Sequence, residues 1–134
     1  MLTGILLPTT LAMAAAAALL NIWMSIRIGR IRRAEKIGVG DGGHELLGRR
    51  MRAQLNFAEN TPWVLALVLT IELAGKGGQW LPLVAAAYVA GRVAHALGMD
   101  GAGFAAGRMI GTITTMLTQV GLALVAAAIL AGLL

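Results

Sequence analysis

Apolar residues fall into four long blocks, separated by short polar or glycine-rich connections. The first, residues 2–28, reads LTGILLPTTLAMAAAAALLNIWMSIRI, and Asn21 is the only strongly polar side chain in its lower half before Arg27. A hydrocarbon core about 30 Å thick takes roughly 20 apolar residues as a helix, so this block predicts a membrane helix. Its basic flank follows the apolar run instead of preceding it. A secretory signal has the opposite order, which predicts a helix retained in the mature protein. The second block starts polar near Glu45 and turns apolar up to about residue 74. Pro62 lies inside it, removing a backbone donor and inviting a kink that neighbouring helices can tolerate. GKGG at residues 75–78 reads as a tight turn. Trp80 and Pro82 open a third helix over 81–99, with Pro82 suited to a first helical turn. A fourth helix is predicted over 108–134. Trp23, Trp63 and Trp80 are candidate interfacial anchors.

The connection at 30–48 contains a literal G-x-G-x-x-G at Gly38, Gly40 and Gly43. A dinucleotide site needs that motif directly after a strand and within a βαβ unit. Neither context is present, so the glycines predict a flexible interhelical turn.

Composition reinforces the membrane reading. Of 134 residues, 58% are hydrophobic and 13% charged, against about 45–50% and 25% in soluble domains. The expectation is one domain, residues 1–134: an all-α membrane protein, a four-transmembrane-helix bundle. With no cysteine, the chain has no disulfide, thiolate nucleophile or Cys-ligated metal of its own. The net charge is +5, and Arg27, Arg30, Arg32, Arg33, Lys36, Arg49, Arg50 and Arg52 are eight of the eleven Lys/Arg residues. A nucleic-acid surface would also be basic. These residues instead flank a span and fill a loop, which is the positive-inside pattern; no nucleic-acid partner is expected. Loop two offers only Lys76, whereas Arg92 and Arg108 bracket loop three. Loops one and three are therefore expected in the cytoplasm, with both termini on the opposite side.

The costly residues fall on helix faces. At about 100° per residue, Arg52, Asn56 and Glu59 share one face of helix two. Arg92, His95 and Met99 repeat that spacing on helix three, and Arg108, Thr112, Thr115 and Gln119 form a stripe on helix four. A charge in a span costs roughly 2.5–3.5 kcal/mol on insertion scales and usually faces the bundle interior or a water-filled cavity. One reading pairs Glu59 with Arg52 or Arg92 as glue between helices. The other notes that at least three arginines meet one carboxylate. A cationic surplus in a partly desolvated cavity attracts an anion, and Glu59 would suit a ligand that also carries an ammonium. His95, the only histidine in a span, reads as a hydrogen-bonding partner. No second histidine, cysteine or paired carboxylate stands at metal-ligand spacing, so no metal site is expected.

R-A-Q-x-N-x-x-E-x-x-P, from Arg52 through Gln54, Asn56 and Glu59 to Pro62, resembles the second-helix signature of the MAPEG family, the membrane-associated proteins of eicosanoid and glutathione metabolism. GRVAH at 91–95, followed by Arg108, resembles the third and fourth helices of the prostaglandin E synthase branch. RRA at 32–34 is similar to the end of helix one in leukotriene C synthase, and GDGG at 40–43 to a short bacterial branch. The resemblance implies a homotrimer with glutathione sites between neighbouring subunits, open toward the cytoplasm, in a bacterial inner membrane. It implies that Glu59 accepts the γ-glutamyl amine. Arg52 and Asn56, with Gln54 of the same motif, would hold the peptide's backbone and carboxylates. Arg32 or Arg33 would reach in from a neighbour, and Arg92 and His95 would line the site. Arg108 would activate the thiol. Glutathione would be the co-substrate, and a lipophilic electrophile would arrive from membrane lipid.

The expected function is thus a membrane glutathione transferase, with glutathione-dependent peroxidase chemistry open to the same thiolate. Met99 stands where many relatives carry tyrosine, which keeps a non-catalytic lipid-binding member as an alternative. A small proton-coupled exporter is a third reading, although residues 2–28 lack the acidic residue such a protein needs.

Overall fold

The computed structural model describes residues 4–134. Four helices account for most of the chain: α1 (Pro8–Glu35), α2 (Glu45–Leu73), α3 (Trp80–Gly98) and α4 (Ala106–Leu130), with a short 3-10 turn at Ala102–Phe104 before α4. No strand occurs among the described residues. Helices α1, α3 and α4 are long and apolar enough to cross a membrane. The second helix has the length, 29 residues, but Glu45, Arg49, Arg50, Arg52 and Glu59 make its first half polar.

Helix ends differ from expectation at three places. The expected start at Leu2 and Thr3 lies outside the described residues, and the helix proper begins at Pro8, the first position where proline's fixed φ assists. At its other end α1 continues seven residues beyond Ile28, to Glu35 (35 − 28). The arginines end its apolar part, not its helix, because Arg, Ala and Glu are good helix formers and Arg32 and Arg33 complement the C-terminal dipole. The chain turns off at Lys36, whose φ is 55°. Helix α4 stops at Leu130, short of the expected 134. Gly132, at φ 72°, lets the backbone amides of residues 132 and 133 bond the carbonyls of Ile129 and Ala128, a glycine stop of the Schellman type.

Packing places the helices in the ring order α1–α2–α4–α3, with α3 on α4 and α1 on α2 as the most extensive pairs. The α3–α4 seam is close because glycines line it. A methyl group at Gly91 would meet the Thr114 side chain, one at Gly98 the backbone of Gly107 and Arg108, and one at Gly111 His95 and the Gly91 carbonyl. Two apolar clusters form the core: Met13, Val64, Val68, Ile71, Leu81 and Tyr88 in one, Leu20, Met24, Phe57 and Ala96 in the other.

Two carboxylates secure the ends. Glu72 of α2 accepts the backbone amides of Thr9 (2.9 Å) and Thr10 (2.7 Å) and the Thr10 hydroxyl (2.7 Å), so it caps α1 from across the bundle. Asp100, just past α3, pairs with Arg27 of α1 and with Arg50 of α2 (3.0 Å). The turn after α3 therefore lies at the same end as the loop between α1 and α2. That loop takes left-handed φ values at Gly40, Gly42 and Gly43, in keeping with an interhelical turn.

Candidate functional site

The polar residues of α2, α3 and α4 separate into an interior layer and outward-facing groups. Arg92 is buried, at 1% exposure. Its guanidinium donates to Asn56 Oδ1 (2.7 Å) and Thr115 Oγ1 (2.9 Å). Gln119 donates to Asn60 Oδ1 (2.8 Å), Asn60 donates to the Asn56 carbonyl (2.7 Å), and Thr61 bonds the Tyr88 hydroxyl (2.9 Å). His95 is buried against Gly111. Neutral oxygens, not Glu59, satisfy the buried cation. Arg92 Nε and His95 Nδ1 have no hydrogen-bond partner among the described residues.

The outer face of α1 and α2 forms a crevice of about 800 Å³ near the loop joining them. Arg32, Arg52, Gln54 and Asp41 line it, with Asn21 and Ser25 along its α1 wall. Gln54 is oriented by Ser25 Oγ (2.7 Å) and Asn21 Oδ1 (3.2 Å), to which its amide donates. Arg32 donates to the Gly40 carbonyl (2.8 Å) and contacts the Met51 sulfur (3.4 Å). Neither Arg32 nor Arg52 enters an ion pair among the described residues. Two guanidinium groups without carboxylate partners in a half-open cleft give an anion-seeking surface.

The expected site residues thus fall into three sets. Arg32, Arg52 and Gln54 share the crevice. Asn56, Arg92 and His95 lie in the bundle interior: Asn56 sits about 40° around α2 from Arg52, enough to turn it toward α3. Arg33, Glu59 and Arg108 are exposed and outside the crevice lining. Arg108 belongs to α4, on the far side of α2 from α1, so one subunit does not bring it to its own crevice. A single shared cavity for all nine is not what one subunit forms.

Sequence reasoning missed Asp100, Glu72 and Asp41. Asp100 looked like a loop residue, and its partners Arg27 and Arg50 are far from it in sequence. Asp41 sat inside a glycine-rich turn, with no periodicity to mark it.

The helical architecture and its three strongly apolar helices define an integral membrane protein of the all-α class. The chain belongs to the MAPEG family, whose model matches residues 10–128; the family includes glutathione transferases and related members. No match is found among curated proteins or among solved structures.

Proposed function

We propose that this chain is a membrane glutathione transferase that activates the thiolate for attack on lipophilic electrophiles. The observation that carries the reading is the crevice in which Arg32 and Arg52 stand without carboxylate partners. Glutathione carries two carboxylates, and guanidinium groups bind carboxylates through charge-assisted, often bidentate bonds. Gln54, whose side-chain N–H groups donate to Ser25 and Asn21, offers its Oε1 as an acceptor to the peptide backbone.

Arg108 is the activating group in this reading, supplied by a neighbouring copy within a homotrimer, since it faces outward on α4. A free thiol has a pKa near 8.5, and an adjacent cation lowers a pKa by about 1–3 units. The thiol proton leaves to water, and the thiolate sulfur bonds the electrophilic carbon. That carbon expels its leaving group or, in a conjugate addition, the π pair of its double bond moves to the neighbouring carbon, which takes up a proton from water. The cationic end of the bundle lies in the cytoplasm of a bacterial inner membrane, and the electrophile enters from the bilayer.

Titration of purified protein with glutathione, followed by thiolate absorbance at the ultraviolet edge, tests this. A thiolate band is expected in the wild type, and Arg108→Ala should lose it while still binding glutathione. A wild-type protein that binds no glutathione overturns the proposal; a band undiminished in Arg108→Ala overturns the role of that residue.

A further inference from the structure

Two nitrogen atoms in the bundle interior play no part in the proposed chemistry. Arg92 Nε and His95 Nδ1 are sealed from the surface, and neither has a hydrogen-bond partner among the described residues. The two residues are 1% and 5% exposed. Buried polar atoms nearly always find a partner, in protein or in ordered water. A neighbouring subunit does not supply one here. Assembly adds atoms outside a subunit, and these two are already closed off within it. They are also complementary. Arginine has donors only, so Nε carries a hydrogen that needs a receiver, and a neutral imidazole has one acceptor nitrogen. Arg92 and His95 stand at i and i+3 on α3, which makes them neighbours on one face. Helix α4 matches them from across the seam: Gly111 packs against Cα and Cβ of His95, and Thr115, one turn on, accepts Arg92 Nη1 at 2.9 Å. With Nη2 donating to Asn56 (2.7 Å), Nε is the one guanidinium nitrogen left unengaged.

We infer that one buried water joins the pair, accepting from Arg92 Nε–H and donating to His95 Nδ1, and so fixes His95 as the neutral tautomer with its proton on Nε2. No direct hydrogen bond links the two side chains, and a water carries both functions they lack. Buried waters make about three hydrogen bonds. The Thr115 hydroxyl accepts from Arg92 and donates to nothing else among the described residues, so it is free to give the third. The bond at one ring nitrogen decides which nitrogen holds the proton. A proton on Nδ1 would set two donors against each other, beside a guanidinium that stays charged. Arg92 is therefore a positioning residue for His95. The imidazole is a donor at Nε2 and has no basic nitrogen to offer a ligand: it can orient an acceptor oxygen but cannot take a thiol proton. This assignment holds whether or not glutathione is the ligand.

Nitrogen NMR of the full-length protein in detergent, isotope-labelled selectively at arginine and histidine and recorded near neutral pH, tests this. The chain has two histidines, His44 and His95. His44→Asn keeps a capping oxygen at the start of α2 and identifies the His95 signals by difference. His95 should show a protonated Nε2 and an unprotonated, hydrogen-bonded Nδ1. Arg92 Nε–H should receive magnetisation from a bound water. In Arg92→Gln that water contact should be lost and the His95 proton should spread over both ring nitrogens, a change that a merely structural role for Arg92 would not produce. Arg92→Lys, which also lacks Nε, repeats the comparison should the glutamine variant not fold. A wild-type His95 with its proton on Nδ1, or with a charged ring, overturns the inference. So does an Arg92 Nε–H without a water contact, or a His95 tautomer unmoved in the folded Arg92 variant.

Discussion

The guanidinium of Arg92 on α3 donates to the side-chain oxygen of Asn56 on α2 at 2.7 Å, inside the bundle and in no ion pair among the described residues. The contact lets a buried cation be held by neutral dipoles. Removing a partner from a buried charge is costly because the charge remains without its water. Asn56→Ala should therefore lower stability by about 3 kcal/mol, read by thermal unfolding in detergent. Replacing both residues with leucine should cost less than that single change, because no orphaned charge is left. A double variant less stable than Asn56→Ala would sink this account.

The α3–α4 seam makes a prediction of opposite sign at two glycines of one helix. In a helix interior, Gly→Ala normally gains up to about 1 kcal/mol. Gly121 of α4 has nothing within 4 Å of an added methyl, so Gly121→Ala should leave stability unchanged or raise it. Gly111→Ala should lower it by about 1–3 kcal/mol, because the methyl would collide with His95 and the Gly91 carbonyl. Equal effects of the two changes on unfolding temperature would show that the seam is looser than described.

These contacts also mark what sequence can and cannot reveal. Long apolar blocks predicted the helices because membrane burial acts over some 20 residues at once. The apolar block ends at Ile28 while α1 runs on to Glu35, because Arg32 and Arg33 stabilise its final turn. The face of α2 was read to within one helical position, yet the 40° between Arg52 and Asn56 decides which lines the crevice and which enters the bundle. Asp100 acts through partners brought near by folding, Arg27 and Arg50, so no local spacing announces it.

At the opposite end, Glu72 replaces the side-chain cap that Leu7 cannot provide. Loss of a helix cap costs about 0.5–2 kcal/mol. In Glu72→Gln one oxygen becomes an amide nitrogen, so at least one of the three bonds from Thr9 and Thr10 is lost. Hydrogen exchange should accelerate selectively at the backbone amides of Thr9 and Thr10. Exchange that is unchanged there would mean the first turn of α1 is held by other contacts.

Asp100 offers the sharpest test of how the cationic end is held together. Its carboxylate meets Arg27 and Arg50, and Arg50 also donates to the Arg27 carbonyl (3.2 Å). Arg27 in turn lies over the Trp23 ring, 4.6 Å from its centroid, which adds a cation–π attraction. The carboxylate is 31% exposed, whereas the two arginine side chains are 10% and 20% exposed. This is intermediate between a solvent pair, worth up to about 1 kcal/mol, and a fully buried one, whose breakage costs about 3–5 kcal/mol. Asp100→Asn should thus lower stability by about 2 kcal/mol, since it removes one attraction and leaves two guanidinium groups repelling each other. Arg27→Met in the Asp100→Asn background should recover part of that loss by removing the repulsion. A single-variant loss below about 0.5 kcal/mol would place Asp100 among ordinary solvent-screened pairs, and the three helix ends would then owe their alignment to apolar packing alone.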